Sequence, residues 1–102
     1  MEVVNIRLKL GFDVFCGRGS PFGNPYVIGS DGDRDDVIRK HREWIDRWLI
    51  GGEEVIVVCY GRSYSNKVVV ESLGQLRGKR CGCFCKPLPC HLDYLREVLE
   101  GV

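Results

Sequence analysis

The alternation of apolar and polar positions predicts strands at the start of the chain. From residue 3 to residue 10, apolar side chains at Val4, Ile6 and Leu8 alternate with polar ones, which is the period of a strand with one buried face. A second, shorter strand is predicted over residues 13–16, after a turn at Gly11. The first part of the chain is therefore expected to contribute strands to a sheet.

A helical pattern follows from residue 33. Four aspartates between residues 31 and 36 crowd its predicted start, where carboxylates cap free amides and meet the positive end of the helix dipole, and Gly51 and Gly52 mark its end. Apolar side chains recur at helical spacing, namely Val37, Ile38, Trp44, Ile45, Trp48 and Leu49. The pattern favours core positions for both tryptophans over a stacking surface, and a packed role for His41 over that of a base.

The second half of the chain alternates strand and helix signals. The run VIVVCY at 55–60 predicts a central strand covered on both faces. Residues 65–76 have helical spacing, although Val68 to Val70 would also suit a strand. A last strand is predicted over 80–84, a loop at Pro87 and Pro89, and a final helix over 91–100. This order predicts a small single-domain α/β layered fold over residues 1–102, Rossmann-like, with a largely parallel sheet flanked by helices.

Length and charge narrow the function classes. A chain of 102 residues with a formal net charge of +1 suits one domain, and the charge does not favour nucleic acid as a partner. No apolar run is long enough for a membrane span, and the start lacks the layout of a signal peptide. A cytoplasmic protein is expected, and the scarcity of Met, Asn and Gln would fit a thermophilic host.

The first candidate site is the loop GRGSPFGNP at 17–25. Ligands of open α/β sheets bind at the carboxyl ends of the strands, where this loop, GRSYSN at 61–66 and KPLPCH at 86–91 are expected to lie. Glycines let backbone amides approach an anion, and arginine offers a planar fork to phosphate. The expected ligand-binding residues are Gly17, Arg18, Gly19, Ser20, Asn24, Arg62 and Lys86. The alternative is a tight turn without ligand, in which Arg18 and Asn24 only satisfy backbone carbonyls.

The second candidate site is the cysteine cluster CGCFCKPLPCH at 81–91. Three interpretations remain open. Cys83, Cys85, Cys90 and His91 could bind zinc, although adjacent residues such as Cys90 and His91 rarely ligate one ion together. Cys90 or Cys85 could be a catalytic nucleophile, with its thiolate stabilised by Lys86 and with His91 as an acid or base. The cysteines could also be small core residues.

The chain resembles the family known as domain of unknown function 4326. The resemblance rests on Val4-x-Ile6, GRGSPFGNPYVIG, DGDRDDVIRKHREW and LRGKRCGCFCKPLPCHLDYL. The resemblance implies that Gly23 and Pro25 also belong to the glycine-rich motif, and that Pro87 and Asp93 belong to the cysteine motif. Asp93 is therefore added to the expected ligand-binding residues. Leu92 stands where the family usually has glycine after Cys-His. The resemblance strengthens the site and implies no particular reaction.

The sequence thus predicts a pocket that joins the GRGSPFGNP and CFCKPLPCH loops. We expect a small anionic ligand, such as a nucleotide or nucleoside derivative, together with cysteine or histidine chemistry. The alternative is a non-enzymatic module, stabilised by zinc, that contacts a protein or nucleic acid through Arg77, Lys79, Arg80 and Lys86.

Overall fold

The computed structural model describes residues 1–8, 11–86 and 88–101. Within them, β1 (Glu2–Asn5), β2 (Val14–Phe15) and β5 (Arg80–Cys83) form a parallel sheet in the order β1-β5-β2, and β3 (Ile56–Cys59) pairs antiparallel with β4 (Arg62–Ser65). The α-helices are α1 (Arg34–Leu49), α2 (Asn66–Ser72) and α3 (His91–Glu100). Short 3-10 turns cover Ile6–Leu8 and Leu73–Leu76. The described residues thus combine three α-helices with one parallel and one antiparallel sheet, which is compatible with the predicted α/β class.

The parallel sheet is built around β5, the last strand among the described residues. Val3 and Val14 both lie opposite Cys81, on the two sides of β5. The strand β1 is shorter than predicted because the Asn5 side chain accepts a hydrogen bond from the Arg7 amide at 2.9 Å, which turns the chain out of the sheet. Of the predicted strand 3–10, residues 9 and 10 lie outside the described residues.

The helix α1 begins and ends where its signals predicted. The Asp33 carboxylate accepts a hydrogen bond from the Asp36 amide at 2.9 Å, and the Asp36 carboxylate accepts one from the Asp33 amide at 3.0 Å. This reciprocal cap satisfies amides that the first turn leaves free. Trp44 is buried as expected, whereas Trp48 is only half-buried.

The prediction of a central strand at 55–60 is wrong. β3 belongs to a two-stranded hairpin, and its Ile56 and Val58 side chains are 59% and 67% exposed. The segment GRSYSN forms the turn and second strand of this hairpin and ends at Asn66, the first residue of α2, instead of following a parallel strand. The sheet is therefore parallel only in β1, β5 and β2, and a Rossmann-like arrangement is not supported.

The core lies between the helices and the inner face of the parallel sheet. The predicted helix at 65–76 forms as α2 and the 3-10 turn after it, and the Ser65 hydroxyl caps it by accepting from the Val68 amide at 3.3 Å. The principal buried side chains are Cys16, Trp44, Ile45, Tyr64, Val69, Leu76, Cys81, Leu92 and Leu95. None of the helices in the described part of the chain has the length and apolar character needed to cross a bilayer.

Candidate functional site

A cavity of about 500 Å³ opens at the carboxyl edge of the parallel sheet. Each of the three strands leads into its wall: Arg7 follows β1, Gly17 and Arg18 follow β2, and Cys83 ends β5. The first turns of α1 and α3 complete it. The two loops predicted to share a pocket, GRGSPFGNP and CFCKPLPCH, thus both contribute residues to its wall, at the edge where ligands of parallel sheets bind.

The glycine loop folds tightly onto itself. The Ser20 hydroxyl donates to the Gly17 carbonyl at 2.8 Å and accepts from the Phe22 amide at 3.3 Å. Gly19 has φ +103°, a conformation that favours glycine, and a Cβ at Gly23 would lie 2.7 Å from the Gly17 carbonyl oxygen. Ser20, predicted to contact a ligand, is engaged in the hydrogen bonds of the loop itself.

Asn24 joins this loop to α1. Its side-chain amide donates to the Val37 carbonyl at 3.2 Å, and its oxygen accepts from the Tyr26 amide at 2.9 Å. Asn24 is buried and lines the cavity. These two hydrogen bonds match the alternative prediction for this loop, in which Asn24 bonds to the backbone and not to a ligand.

Arg18 lies exposed at the rim of the cavity. Its guanidinium donates one hydrogen bond to the Tyr26 carbonyl at 3.3 Å and lies 5.8 Å from the centre of the Tyr60 ring. Since a guanidinium has five N–H donors, most of its donor capacity remains for a ligand.

Five of the eight predicted ligand residues do not line the cavity as the structure describes it, namely Gly19, Ser20, Arg62, Lys86 and Asp93. Lys86 forms an ion pair with Asp93, whose carboxylate also accepts from the Cys90 amide at 3.0 Å. Arg62 lies on β4, with its guanidinium 5.9 Å from the centre of the Tyr64 ring. The bonds of Asp93 to Lys86 and to the Cys90 amide stabilise the start of α3. Pro87 lies outside the described residues.

Two arginines of the cavity were missed by sequence reasoning. Arg7 extends over the Phe84 ring, 5.0 Å from its centre. Arg34, in the first turn of α1, donates to the Pro89 carbonyl at 3.2 Å and interacts with the Cys85 thiol. The sequence assigned Arg7 to a strand and Arg34 to an acidic helix start, so nothing in either pattern indicated a shared site.

The cysteines form one wall of the cavity. The sulfur atoms of Cys83, Cys85 and Cys90 all lie within 4.8 Å of one another, which is close enough to share a metal ion, and the group does not include His91. The Cys90 and Cys83 sulfurs are 3.6 Å apart. Cys85 is the most accessible of the three. We call Cys83, Cys85 and Cys90 the thiol group below.

Charge in the thiol group is unevenly distributed. The pKa of Cys85 is strongly lowered, mainly because its thiolate accepts hydrogen bonds from the thiols of Cys83 and Cys90, with a further contribution from the Arg34 guanidinium. The pKa of Cys90 is raised by the contacts with the same neighbouring sulfurs and by burial. Cys85 is therefore more readily ionised than Cys90, and the sequence had included both among the candidate nucleophiles.

Two histidines pack together beside the thiol group, and one of them, His91, also lines the cavity. His91 Nε2 lies 2.8 Å from the Phe22 carbonyl, and since a carbonyl only accepts, Nε2 carries the proton and Nδ1 faces the Cys90 sulfur at 3.5 Å. The His41 ring centre lies 5.1 Å from that of His91, and neither nitrogen of His41 has a hydrogen-bond partner among the described residues. Burial lowers the pKa of both histidines, and the proximity of His91 lowers that of His41 further.

Comparison with known proteins agrees with the resemblance noted in the sequence. The family described as "Domain of unknown function (DUF4326)" matches residues 5–101. The chain is also 34% identical over 99 residues to the "Uncharacterized 12.4 kDa protein in nrdA-td intergenic region" of Enterobacteria phage T4, a match that covers 97% of this chain and 77% of the phage protein. No solved structure matches. The glycine loop, the thiol group and the helix starts beside them all lie within the matched residues, and the chain belongs to the DUF4326 family.

Proposed function

We propose that the cavity binds a small organic anion with a phosphate group, such as a nucleotide or nucleoside derivative. The observation that carries the proposal is the convergence of Arg7, Arg18 and Arg34 on one cavity whose described lining residues include no aspartate or glutamate. Three guanidinium groups repel one another across such a space. An anion between them would relieve this repulsion and accept charge-assisted hydrogen bonds.

The remaining walls suit the organic part of such a ligand. Tyr26, Ile28, Ile38 and Phe84 line the cavity with apolar surface, and Phe84 is half exposed. The volume of about 500 Å³ falls within the roughly 300–1,000 Å³ of small-molecule sites. A planar ring could rest on this surface while its phosphate met the arginines. The Cys85 thiolate lies on the same wall, within reach of a ligand.

The second candidate is a zinc-stabilised module that binds a protein or nucleic acid without catalysis. The thiol group favours it, because three sulfurs this close are typical of metal ligands. This candidate gives the arginines of the cavity no shared role. A binding experiment on those arginines therefore separates the two functions.

The test is calorimetric titration of the protein with inorganic phosphate, pyrophosphate, and nucleoside mono- and triphosphates. We expect Arg18→Ala and Arg34→Ala each to weaken binding by about 10- to 100-fold, since a charge-assisted hydrogen bond contributes about 1.5–3 kcal/mol. Arg18→Lys should recover part of the loss, because it keeps the charge without the fork. Arg96→Ala, a matched control on the exposed face of α3, should bind like the wild type.

Two results would contradict the proposal. One is a wild-type protein that binds none of these phosphates. The other is an Arg18→Ala variant that binds as well as wild type but unfolds several degrees lower, because Arg18 would then be a structural support for the Tyr26 carbonyl. Arg62→Ala tests the prediction from the sequence that Arg62 binds the ligand. Because Arg62 lies outside the cavity, we expect this variant to bind like the wild type.

A further inference from the structure

The geometry of the thiol group matches one face of a tetrahedral metal site. At the Zn–S distance of about 2.3 Å, two sulfurs of a tetrahedral site are separated by about 3.8 Å. The Cys83 and Cys90 sulfurs are 3.6 Å apart, and no pair in the group exceeds 4.8 Å. Rotamer adjustments of roughly 1 Å or less would therefore bring all three sulfurs to the separation that zinc requires.

The backbone already holds the three cysteines in place. Cys83 is the last residue of β5, Cys85 follows two residues later, and Cys90 is the N-cap of α3. The Asn5 side chain donates to the Lys86 carbonyl, and the Lys86–Asp93 ion pair spans the connection to α3. These contacts fix both ends of the turn between Cys85 and Cys90, so the site would be largely formed before a metal arrives.

His91 does not complete the set of ligands. Its Nε2 proton is donated to the Phe22 carbonyl, and its ring lies outside the group of atoms close enough to share an ion. The described residues thus offer three ligands, and zinc sites with three protein ligands keep a fourth position for water or substrate. All three cysteines line the arginine cavity, so this fourth position would face it.

We propose that Cys83, Cys85 and Cys90 bind one zinc ion as three thiolates, with the fourth position open to a ligand in the arginine cavity. Binding releases to the solvent each proton that the thiols still carry, and no electron is transferred. Zn²⁺ with three thiolates has a net charge of −1, which the Arg34 guanidinium beside Cys85 balances. The three-thiolate site stands on its own geometry, whereas the role of the fourth position rests on the proposed function.

The test of the site is metal titration of the full-length protein after reduction and removal of metal. We expect one equivalent of Zn²⁺ per chain, and with Co²⁺ a thiolate-to-cobalt charge-transfer band together with the visible bands of tetrahedral cobalt. Cys85→Ser, the least buried of the ligand substitutions, should weaken zinc binding by about 100-fold or more, beyond the 10- to 100-fold typical of outer-shell partners. Cys59→Ser is the control, a buried thiol in β3 outside the group, and should bind zinc like the wild type.

The site is overturned if the wild type binds no stoichiometric zinc and shows no cobalt charge-transfer band. It is also overturned if Cys59→Ser loses as much affinity as Cys85→Ser. The wild-type titration can refute the proposal by itself, so the test does not depend on whether each variant folds.

The fourth position is tested by adding inorganic phosphate to the cobalt-loaded protein. A change in the visible cobalt bands, lost in Arg34→Ala, supports an anion at the metal. Phosphate binding by calorimetry without any change in those bands overturns the role of the fourth position. If neither inorganic phosphate nor any of the other phosphates named above binds while the cobalt spectrum is present, the proposed function and the role of the fourth position both fail, and the three-thiolate site stands.

Discussion

The Nε2 atom of His91 lies 2.8 Å from the carbonyl oxygen of Phe22, so the first residue of α3 is bonded to the glycine loop. This bond joins residues that are 69 positions apart in the chain and connects the two loops of the cavity. Removing it should therefore affect both stability and the shape of the site.

We expect His91→Phe to lower the free energy of unfolding by about 1–3 kcal/mol, because the buried Phe22 carbonyl loses its donor. His91→Gln keeps an N–H group on the side chain and should lose less. Urea denaturation of both variants and the wild type measures the difference. A loss in His91→Phe that is no larger than the loss in His91→Gln would contradict a stabilising role for this hydrogen bond.

Gly23→Ala should destabilise the glycine loop. The added Cβ would lie 2.7 Å from the Gly17 carbonyl oxygen and 2.8 Å from the Arg18 Cα, and both contacts are with backbone that cannot rotate away. A loss of about 1–3 kcal/mol is expected from such overpacking. Phosphate affinity should fall as well, because Arg18 must move with the loop.

Gly74→Ala is the matched control for this substitution. A Cβ at Gly74 meets nothing within 4 Å, and its φ is not positive. The change should leave stability unchanged or raise it by about 0.4–1 kcal/mol through the unfolded chain. Thermal melts of both variants test the contrast, and equal melting temperatures would contradict the crowding at Gly23.

Acid should destabilise the protein through its buried histidines. Burial holds the pKa of His41 well below its usual value, so the folded state keeps the ring neutral while the unfolded chain binds a proton below about pH 6.5. Stability is thus fully present above pH 6.5 and is lost as the pH falls below it, by up to about 1.4 kcal/mol per pH unit for each such histidine.

In His41→Leu, the protein should take up one proton fewer when it unfolds in acid, so its stability should depend less on pH. The substitution keeps the position apolar and leaves His91 in place, so the slope of unfolding free energy against pH between 6.5 and 5 should decrease without disappearing. Urea denaturation at several pH values gives the slope. An unchanged slope would mean that His41 is not the group that titrates on unfolding.

Asn66 is expected to be the polar residue least tolerant of substitution in the core. Its amide donates to the Trp44 carbonyl at 2.8 Å and to the Glu53 carbonyl at 3.0 Å, and its oxygen accepts from the Val55 amide at 2.8 Å. Asn66→Leu leaves all three backbone groups without their partner and should cost about 3 kcal/mol or more. Asn5→Ala, at a partly exposed site, is the comparison and should cost less, as measured by urea unfolding.

The local structure at the helix starts could be predicted from the sequence because its determinants are neighbours in the chain. Asp33 caps α1 through Asp36, three residues away, and α3 begins at His91 as predicted. The convergence of the GRGSPFGNP and CFCKPLPCH loops also followed from one physical rule, that parallel strands end at the same edge.

The errors have a different physical origin. The run Val55 to Cys59 is apolar on both faces, and the sequence contains no information on whether a second layer covers Ile56 and Val58; in the structure nothing in the described chain buries them. Arg7 and Arg34 were missed because their position in the cavity depends on Phe84 and Pro89, which are 77 and 55 residues away. Such contacts are set by tertiary packing.

The pairing of β5 between β1 and β2 sets the order in which the protein can be assembled. Both strand pairs require residues of β5, so a nascent chain leaving the ribosome cannot form the parallel sheet until residues 80–83 have been synthesised. The helix α1 and the β3–β4 hairpin depend on local contacts and can form earlier. Co-translational folding would therefore complete the arginine cavity last, and a chain that stalls before residue 80 would emerge without it.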